Sequence, residues 1–410
     1  MIGVIADDLS GAAEIGAVGL RHGLSAEIIT SGQPSGRADI VCVDTDSRSR
    51  TSEEAAERVM AAARLLKDAG AAWIYKKVDS VLRGHVVVEI DALMTALELN
   101  RALLVPANPS RARIVRNGRY YVEGRPIQET EFGHDPEHPR GSSKILELLE
   151  RTTAGPVKMI RTRDSLRSAG IFVGEATKTA DLQSWAERRI LRTVLAGAAE
   201  FFAAVLQAKG NSLAVIPHEP EAVRPERREL FVCGSASKAS RNFLREARMC
   251  KTPIFSLPSE LAWGAEFTEI AKDAVARRAI AAFEQSSRVI LNVGLPSMRG
   301  PEAARRLTAH LAQLAEAVLS EVEVSHIFAE GGATGAALVQ RSGWNRLTVL
   351  RELAPGIARL AIPSEHSTVL TIKPGSYDWS MEVRTKIPAP NSKLQVQLQE
   401  PEMAEEFVPK

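Results

Sequence analysis

Strand-like and helix-like segments alternate without a break over about the first 105 residues, and no other feature of the chain limits its fold as strongly. Residues 2–6 read as a strand and 10–22 as a helix, followed by strands at 25–30 and 39–44. A helix is expected at 51–68, with Thr51 or Ser52 as its N-cap. A strand at 72–77, a helix at 86–98 and a strand at 102–106 complete the series. This βαβ rhythm predicts a mostly parallel sheet covered by helices. Ligands of such sheets bind beyond the carboxyl ends of the strands, so the loops that follow strands are where chemistry is expected.

The rhythm stops at 107–143, a stretch rich in Pro, Gly, Arg and His that reads as a long irregular excursion. It resumes over 157–205 with a strand, a loop, a strand and a long Ala-rich helix. Residues 209–228 carry three prolines among dense charges and read as a linker. A second alternating block then begins at Leu230-Phe231-Val232-Cys233-Gly234. Helices are expected near 237–247, 264–285 and 301–320, strands near 288–293 and 325–329, and a more β-rich part over 347–384. At 410 residues the chain exceeds what one hydrophobic core usually serves. The expected fold is therefore two α/β domains, 1–208 and 229–390, each with a mostly parallel sheet, an active site in the cleft between them and a loose tail at 391–410.

Several function classes are disfavoured. Lys plus Arg number 52 against 50 Asp plus Glu, a balance that suggests neither nucleic acid nor an anionic membrane as partner. No apolar run approaches the ~20 residues that span a bilayer. The N-terminus starts directly in a strand and does not read as a signal peptide, so a cytoplasmic protein is expected. Cys42, Cys233 and Cys250 lack CxxC spacing and read as free thiols.

Two loops after strands stand out in the first half. Ala6-Asp7-Asp8-Leu9-Ser10-Gly11 places two carboxylates at a strand end, just before a helix whose positive end points into the same crevice. Such groups orient sugar hydroxyls, accept a proton or hold Mg²⁺; an acidic helix cap is the simpler alternative. Lys76-Lys77-Val78-Asp79-Ser80-Val81-Leu82-Arg83 concentrates cations that suit a carboxylate or phosphate. Lys76 and Lys77 are expected to project to opposite faces of their strand, which leaves Arg83 as the expected bidentate partner of an acid. A third loop, Asp44 to Arg50, has the same character, and a solvated helix start explains most of it. His134 and His138 in the excursion lack a third ligand, so no residue is assigned to a metal.

The second half offers glycines that open helices: Gly234-Ser235-Ala236-Ser237 and Glu330-Gly331-Gly332-Ala333-Thr334-Gly335, with Pro355-Gly356 and Lys373-Pro374-Gly375 at later strand ends. Glycine followed by a helix N-terminus forms a phosphate cradle. There is no GxxxxGK[ST] and no GxGxxG after the first strand, so neither a P-loop enzyme nor a Rossmann dehydrogenase is indicated.

Taken together, these motifs resemble those of the four-carbon acid sugar kinase family from Met1 to about Glu382. The landmarks are Asp7 to Ala12, Lys76 to Gly84, Val105-Pro106-Ala107, Glu131 to Pro139, Gly234 to Ser237, Gly331 to Thr334, Pro355-Gly356 and Lys373 to Gly375. The resemblance implies an N-terminal half that binds a sugar acid, a C-terminal half that binds ATP, and phosphorylation of a terminal hydroxyl of an acid such as threonate, erythronate or a 3-oxo-tetronate. It implies ATP and Mg²⁺ as cofactors, with an oligomer left open. By the same resemblance Asp8 and Asp79 are the expected catalytic groups, with Asp8 as base. Asp7, Ser10, Lys76, Lys77, Ser80 and Arg83 are expected on the substrate, and Ser235, Ser237, Gly331, Gly332, Ala333, Thr334, Gly356 and Gly375 on the nucleotide. Four departures stand out: Ser10 for Thr, Val81 for Thr, Ala333 for an acidic residue and Pro374 for Ser. Asp378 or Glu330 is a possible substitute for the acid missing at 333. The departures keep two alternatives open, a kinase of another branched or oxo sugar acid, and a non-catalytic sugar-acid sensor.

Overall fold

The computed structural model describes residues 1–135, 137–149, 155–166, 168–188, 191–214, 228–263, 266–294, 301–365 and 368–384. Most of the expected linker, and all of the expected tail, lie outside these residues. The N-terminal half contains β1 (Ile2–Ala6), α1 (Leu9–Arg21), β2 (Ala26–Ile29), β3 (Ile40–Asp44), α2 (Ser52–Asp68), β4 (Trp73–Lys77), α3 (Val86–Ala96) and β5 (Arg101–Val105). It continues with β6 (Arg113–Arg116), β7 (Arg119–Val122), β8 (Arg125–Pro126), α4 (Ile145–Leu148), β9 (Val157–Ile160), β10 (Gly170–Gly174), α5 (Thr179–Ala186), β11 (Val194–Gly197) and α6 (Ala199–Ala208). The C-terminal half contains β12 (Glu229–Cys233), α7 (Lys238–Met249), β13 (Ile254–Ser256), α8 (Glu269–Ala282), β14 (Arg288–Asn292), α9 (Pro301–Leu319), β15 (His326–Glu330) and α10 (Gly332–Arg341). It ends with β16 (Arg346–Ala354), β17 (Ile357–Ala361), β18 (Val369–Lys373) and α11 (Met381–Arg384).

The expected rhythm is present. In the first half β1, β3, β4, β5, β9, β10 and β11 pair in parallel, and in the second β12 to β15 and β18 do the same. Val4, Ile5, Val41, Cys42, Leu103 and Leu104 are buried, as strands covered by helices on both faces require. Thr51 caps α2 with a reciprocal bond to Glu54. Among the described residues no helix is long and apolar enough to cross a membrane.

Three features differ from the sequence reading. The excursion after β5 holds an antiparallel ribbon, β6–β7–β8, whose tight turns put Asn117, Gly118, Glu123 and Gly124 at positive φ. The short strand β11 precedes α6 and sits between β4 and β5 in the middle of the sheet. Finally, the two halves do not carry separate sheets. β2 pairs antiparallel with β16, Ile28 opposite Leu347, so that fifteen strands run in the order β13-β14-β12-β15-β18-β17-β16-β2-β3-β1-β4-β11-β5-β10-β9. Each of these strands would otherwise expose a row of unpaired backbone groups at a sheet edge, and pairing satisfies both rows.

Candidate active site

The N-terminal wall of the site begins at the end of β1. Asp8 caps α1, taking the Gly11 amide at 2.8 Å and the Ser10 hydroxyl at 2.8 Å. Arg48, in the loop after β3, spans the pair: its Nε donates to Asp7 at 2.7 Å and its Nη1 to Asp8 at 2.8 Å. Asp79, after β4, lies 3.7 Å from the same guanidinium. Asp79 is itself gripped by Arg83 through Nε at 3.0 Å and Nη2 at 2.9 Å, and it accepts the amides of Val81 and Arg83. The remaining Arg83 nitrogen, Nη1, bonds Asp135 at 3.1 Å. Burial pushes the Asp7 carboxyl up, but Arg48 and Lys76 more than offset this and hold it below the usual range. For Asp79 burial is likewise outweighed, by Arg83 and then Arg48, and its carboxyl sits well below that range.

The excursion closes over these loops. His138 bonds the Arg48 carbonyl through Nε2 at 2.9 Å, and Glu137 accepts the Ser49 hydroxyl at 2.7 Å. Burial, reinforced by Arg48 and Arg140, drives the His138 ring down to about 4, so at neutral pH Nε2–H is the donor. Asp135 anchors the turn by accepting the amides of Glu137 and His138.

The facing wall is made of backbone. The loops after β12, β15 and β18 leave adjacent parallel strands whose last residues, Cys233, Glu330 and Lys373, are in register. Lys373 lies 3.5 Å from Glu330 and both are buried, an ion pair beneath the loops. Ser235 and Ser237 donate to the Gly375 carbonyl at 3.2 and 2.7 Å, tying two loops together, and Ser237 also caps α7. The first turn of α10 has no side-chain cap; Gly331 precedes it at φ 99°, a backbone position that favours glycine. A Cβ on Gly332 would lie 2.0 Å from Asp8 Oδ2, so the amino end of α10 and the carboxylate loop are in direct contact.

Between the walls is a cavity of about 420 Å³. Asp7, Asp8, Ser10, Arg48 and Arg83 line one side, and Ser235, Ser237 and Gly331 to Thr334 with Gly375 the other. Residues 2–237 match the model of a sugar-binding N-terminal domain and 230–377 that of a nucleotide-binding C-terminal domain, the two domains of one kinase family. The chain belongs to the four-carbon acid sugar kinase family. It is thus a sugar-acid kinase that uses ATP. A D-threonate kinase of Salmonella typhimurium is 27% identical over 86% of this chain and 89% of its own length. A 3-oxo-tetronate kinase of Actinobacillus succinogenes is 24% identical over 92% and 96%. A crystal structure of a Haemophilus influenzae protein shares the fold, with a TM-score of 0.65 and 21% identity over 94% of this chain and 100% of that one.

Not every residue that the family motifs nominate reaches the cavity of this kinase. Lys76 points away into a buried ion pair with Glu89 at 2.7 Å, and Lys77 pairs with Glu14 at 3.2 Å on the opposite face. The alternation along β4 is as expected, yet neither lysine lines the cavity. Asp79 and Ser80 are buried behind the wall, Ser80 holding Arg113 through its hydroxyl. Gly356 lies in the β16–β17 turn against Tyr377, not in the wall. Ala333 is in the wall, but neither proposed substitute for a missing acid is: Glu330 is held beneath the sheet end by Lys373, and Asp378 lines a second cavity. Sequence reasoning passed over Arg48, the hub of the carboxylate cluster. Its only signal was its place at a strand end, which a solvated helix start explained equally well.

Proposed function

We propose that this chain transfers the γ-phosphoryl group of ATP to the terminal hydroxyl of a four-carbon sugar acid such as threonate, erythronate or a 3-oxo-tetronate, in the cavity between its halves and in the cytoplasm. The observation that carries this reading is the contact of Gly332 with Asp8. An uncapped helix end, which attracts phosphate, abuts a carboxylate able to receive a hydroxyl.

In this scheme the amides of Gly331 to Thr334 and the Gly375 loop cradle the ATP phosphates. Asp8 orients the attacking hydroxyl and takes its proton, while Arg48 and Ser10 fix the Asp8 carboxylate. Positioning matters more than basicity here, because phosphoryl transfer needs little help from proton abstraction. Asp7 Oδ1 is buried without a hydrogen-bond partner, although its other oxygen is held by Arg48. A free carboxylate oxygen beside a phosphate cradle suits Mg²⁺, which takes one or two carboxylates plus phosphate and water. Mg²⁺ would there neutralise charge on the phosphates. Asp79 acts through Arg83 and Arg48, as a positioning residue.

A coupled ADP-release assay with a panel of four-carbon acids tests this reading. ADP release that requires an acid, with a phosphorylated acid as product, is the expected result. Acid binding with no turnover on any acid would instead favour a sugar-acid sensor.

A further inference from the structure

The substrate's carboxylate needs a cation, and the cations nominated by the sequence are already occupied. Lys76 is held by Glu89, Lys77 by Glu14, Arg48 by Asp7 and Asp8, and Arg83 by Asp79 and Asp135. A ligand carboxylate at any of them would have to displace a protein carboxylate or sit close beside one, a like-charge contact. The acid must therefore find its partner elsewhere.

A second cavity, of about 1120 Å³, adjoins the first and shares Glu131, Phe132 and Ser376 with it as common wall. Arg113 lines it at the start of β6. The residue is only 8% exposed, and its guanidinium carbon lies 5.2 Å from the Phe132 ring centre and 5.5 Å from that of Tyr377. Nη1 donates to the Ser80 hydroxyl, next to Asp79 in the chain. Paired amide bonds between Asn108 and Arg113 fix the backbone there, at 2.8 and 3.2 Å. Among the described residues Arg113 makes no ion pair, although Glu131 lines the same cavity. A guanidinium so enclosed is costly without a counter-charge, and a ligand carboxylate would supply one. Two aromatic walls also hold the planar fork ready for bidentate binding.

Resting on the kinase reading above, we propose that Arg113 is the residue that grips the carboxylate of the sugar acid and sets the preference for acids over neutral sugars. It would reach the acid from the second cavity, across the wall the two share, while Asp7 and Asp8 face the hydroxyl end from the first.

The test compares Arg113→Met and Arg113→Lys with the wild type, using D-threonate and the neutral D-threitol. Losing a charge-assisted pair should raise the KM for D-threonate about tenfold to a hundredfold. The KM for ATP should stay within about twofold, and the wild-type preference for D-threonate over D-threitol should shrink by the same factor. Arg113→Lys should recover part of the loss. Calorimetric binding of D-threonate to the free protein gives the same comparison without turnover. Unchanged D-threonate affinity in Arg113→Met overturns the proposal, as does an equal loss for D-threitol, which marks a structural role. If the wild type turns over D-threonate while Arg113→Met is unaffected, only this proposal fails. If the wild type binds D-threonate through Arg113 without phosphorylating it, only the kinase reading fails.

Discussion

The two walls of the cavity are built from different materials. The N-terminal wall is a lattice of charged side chains in which Arg48 and Arg83 are interleaved with Asp7, Asp8, Asp79 and Asp135. The C-terminal wall is backbone: glycines and helix ends tied by serine hydroxyls, with the Glu330–Lys373 pair kept beneath it. A side-chain lattice fixes a few oxygens in space and discriminates among hydroxyls. A backbone cradle accepts phosphate wherever it approaches the helix end. On the function proposed above, the wall that tells one sugar acid from another is also the wall that carries the titratable side chains.

The largest effect is expected where the walls touch. In Gly332→Val the new Cβ would fall 2.0 Å from Asp8 Oδ2 and 2.7 Å from Cγ. Both walls must then move, so kcat should fall by about 10²-fold or more, the scale of losing one preorganised donor. Steady-state kinetics should show both KM values rising; a rise for ATP alone would mean the walls are less coupled than their contact implies.

Arg48→Met probes the side-chain lattice alone. Removing one partner of a buried ion pair typically costs ~3–5 kcal/mol, and here it leaves Asp7 and Asp8 without their shared cation. A clear drop in Tm and loss of acid turnover are expected. Arg48→Lys should not restore either, since one ammonium cannot span both carboxylates. A melting curve matching the wild type would show the lattice holds without its hub.

The pH response should come in two steps within the N-terminal wall. The folded His138 ring is lowered from 6.5 to about 4, chiefly by burial. The unfolded chain therefore binds more protons in that interval. The stability that His138 contributes is complete above 6.5 and is lost as pH falls toward about 4. Asp7 and Asp79 are also lowered in the folded state, so their contribution fails only below the ordinary carboxylate value of 3.8. Buried carboxyls raised in the folded state, Asp44 and Glu137 among them, act in the opposite sense, so the test is the difference: from pH 7 to 4 the denaturation midpoint should fall more, or rise less, for the wild type than for His138→Gln. Equal slopes would remove His138 from this account.

The smallest effect on specificity is expected from Arg83→Ala. Its fork is engaged by Asp79 and its third nitrogen by Asp135, so the change should lower Tm more than it alters the ratio of acid to neutral sugar turnover. A tenfold loss of that ratio would return the carboxylate to Arg83.

The alternation of elements was legible because strands covered on both faces read as apolar runs and helices announce their caps, as at Thr51. Both members of the cavity's central contact, Asp8 and Gly332, were legible for the same reason: each sits where a strand ends and a helix begins. Pairing was not legible. Nothing local in Lys76 shows that Glu89, on the following helix, will neutralise it, or that Asp79 will occupy the fork of Arg83. The β2–β16 junction joins residues more than three hundred positions apart, and short β11 looked like the start of the helix behind it. Arg113 was hidden in a stretch whose turns, at Asn117-Gly118 and Glu123-Gly124, mark a ribbon only once its strands are seen to pair.

The division of labour between the walls is tested most directly at Gly375. A Cβ there would meet Ser235 Oγ at 2.8 Å and no residue of the N-terminal half within 4 Å among its nearest contacts. Calorimetric titration of Gly375→Val with a non-hydrolysable ATP analogue, and separately with D-threonate, reads the two walls one at a time. The account predicts that nucleotide affinity falls at least tenfold while D-threonate affinity is unchanged, roughly a 1.4 kcal/mol separation. Loss of D-threonate binding with nucleotide affinity intact would contradict it.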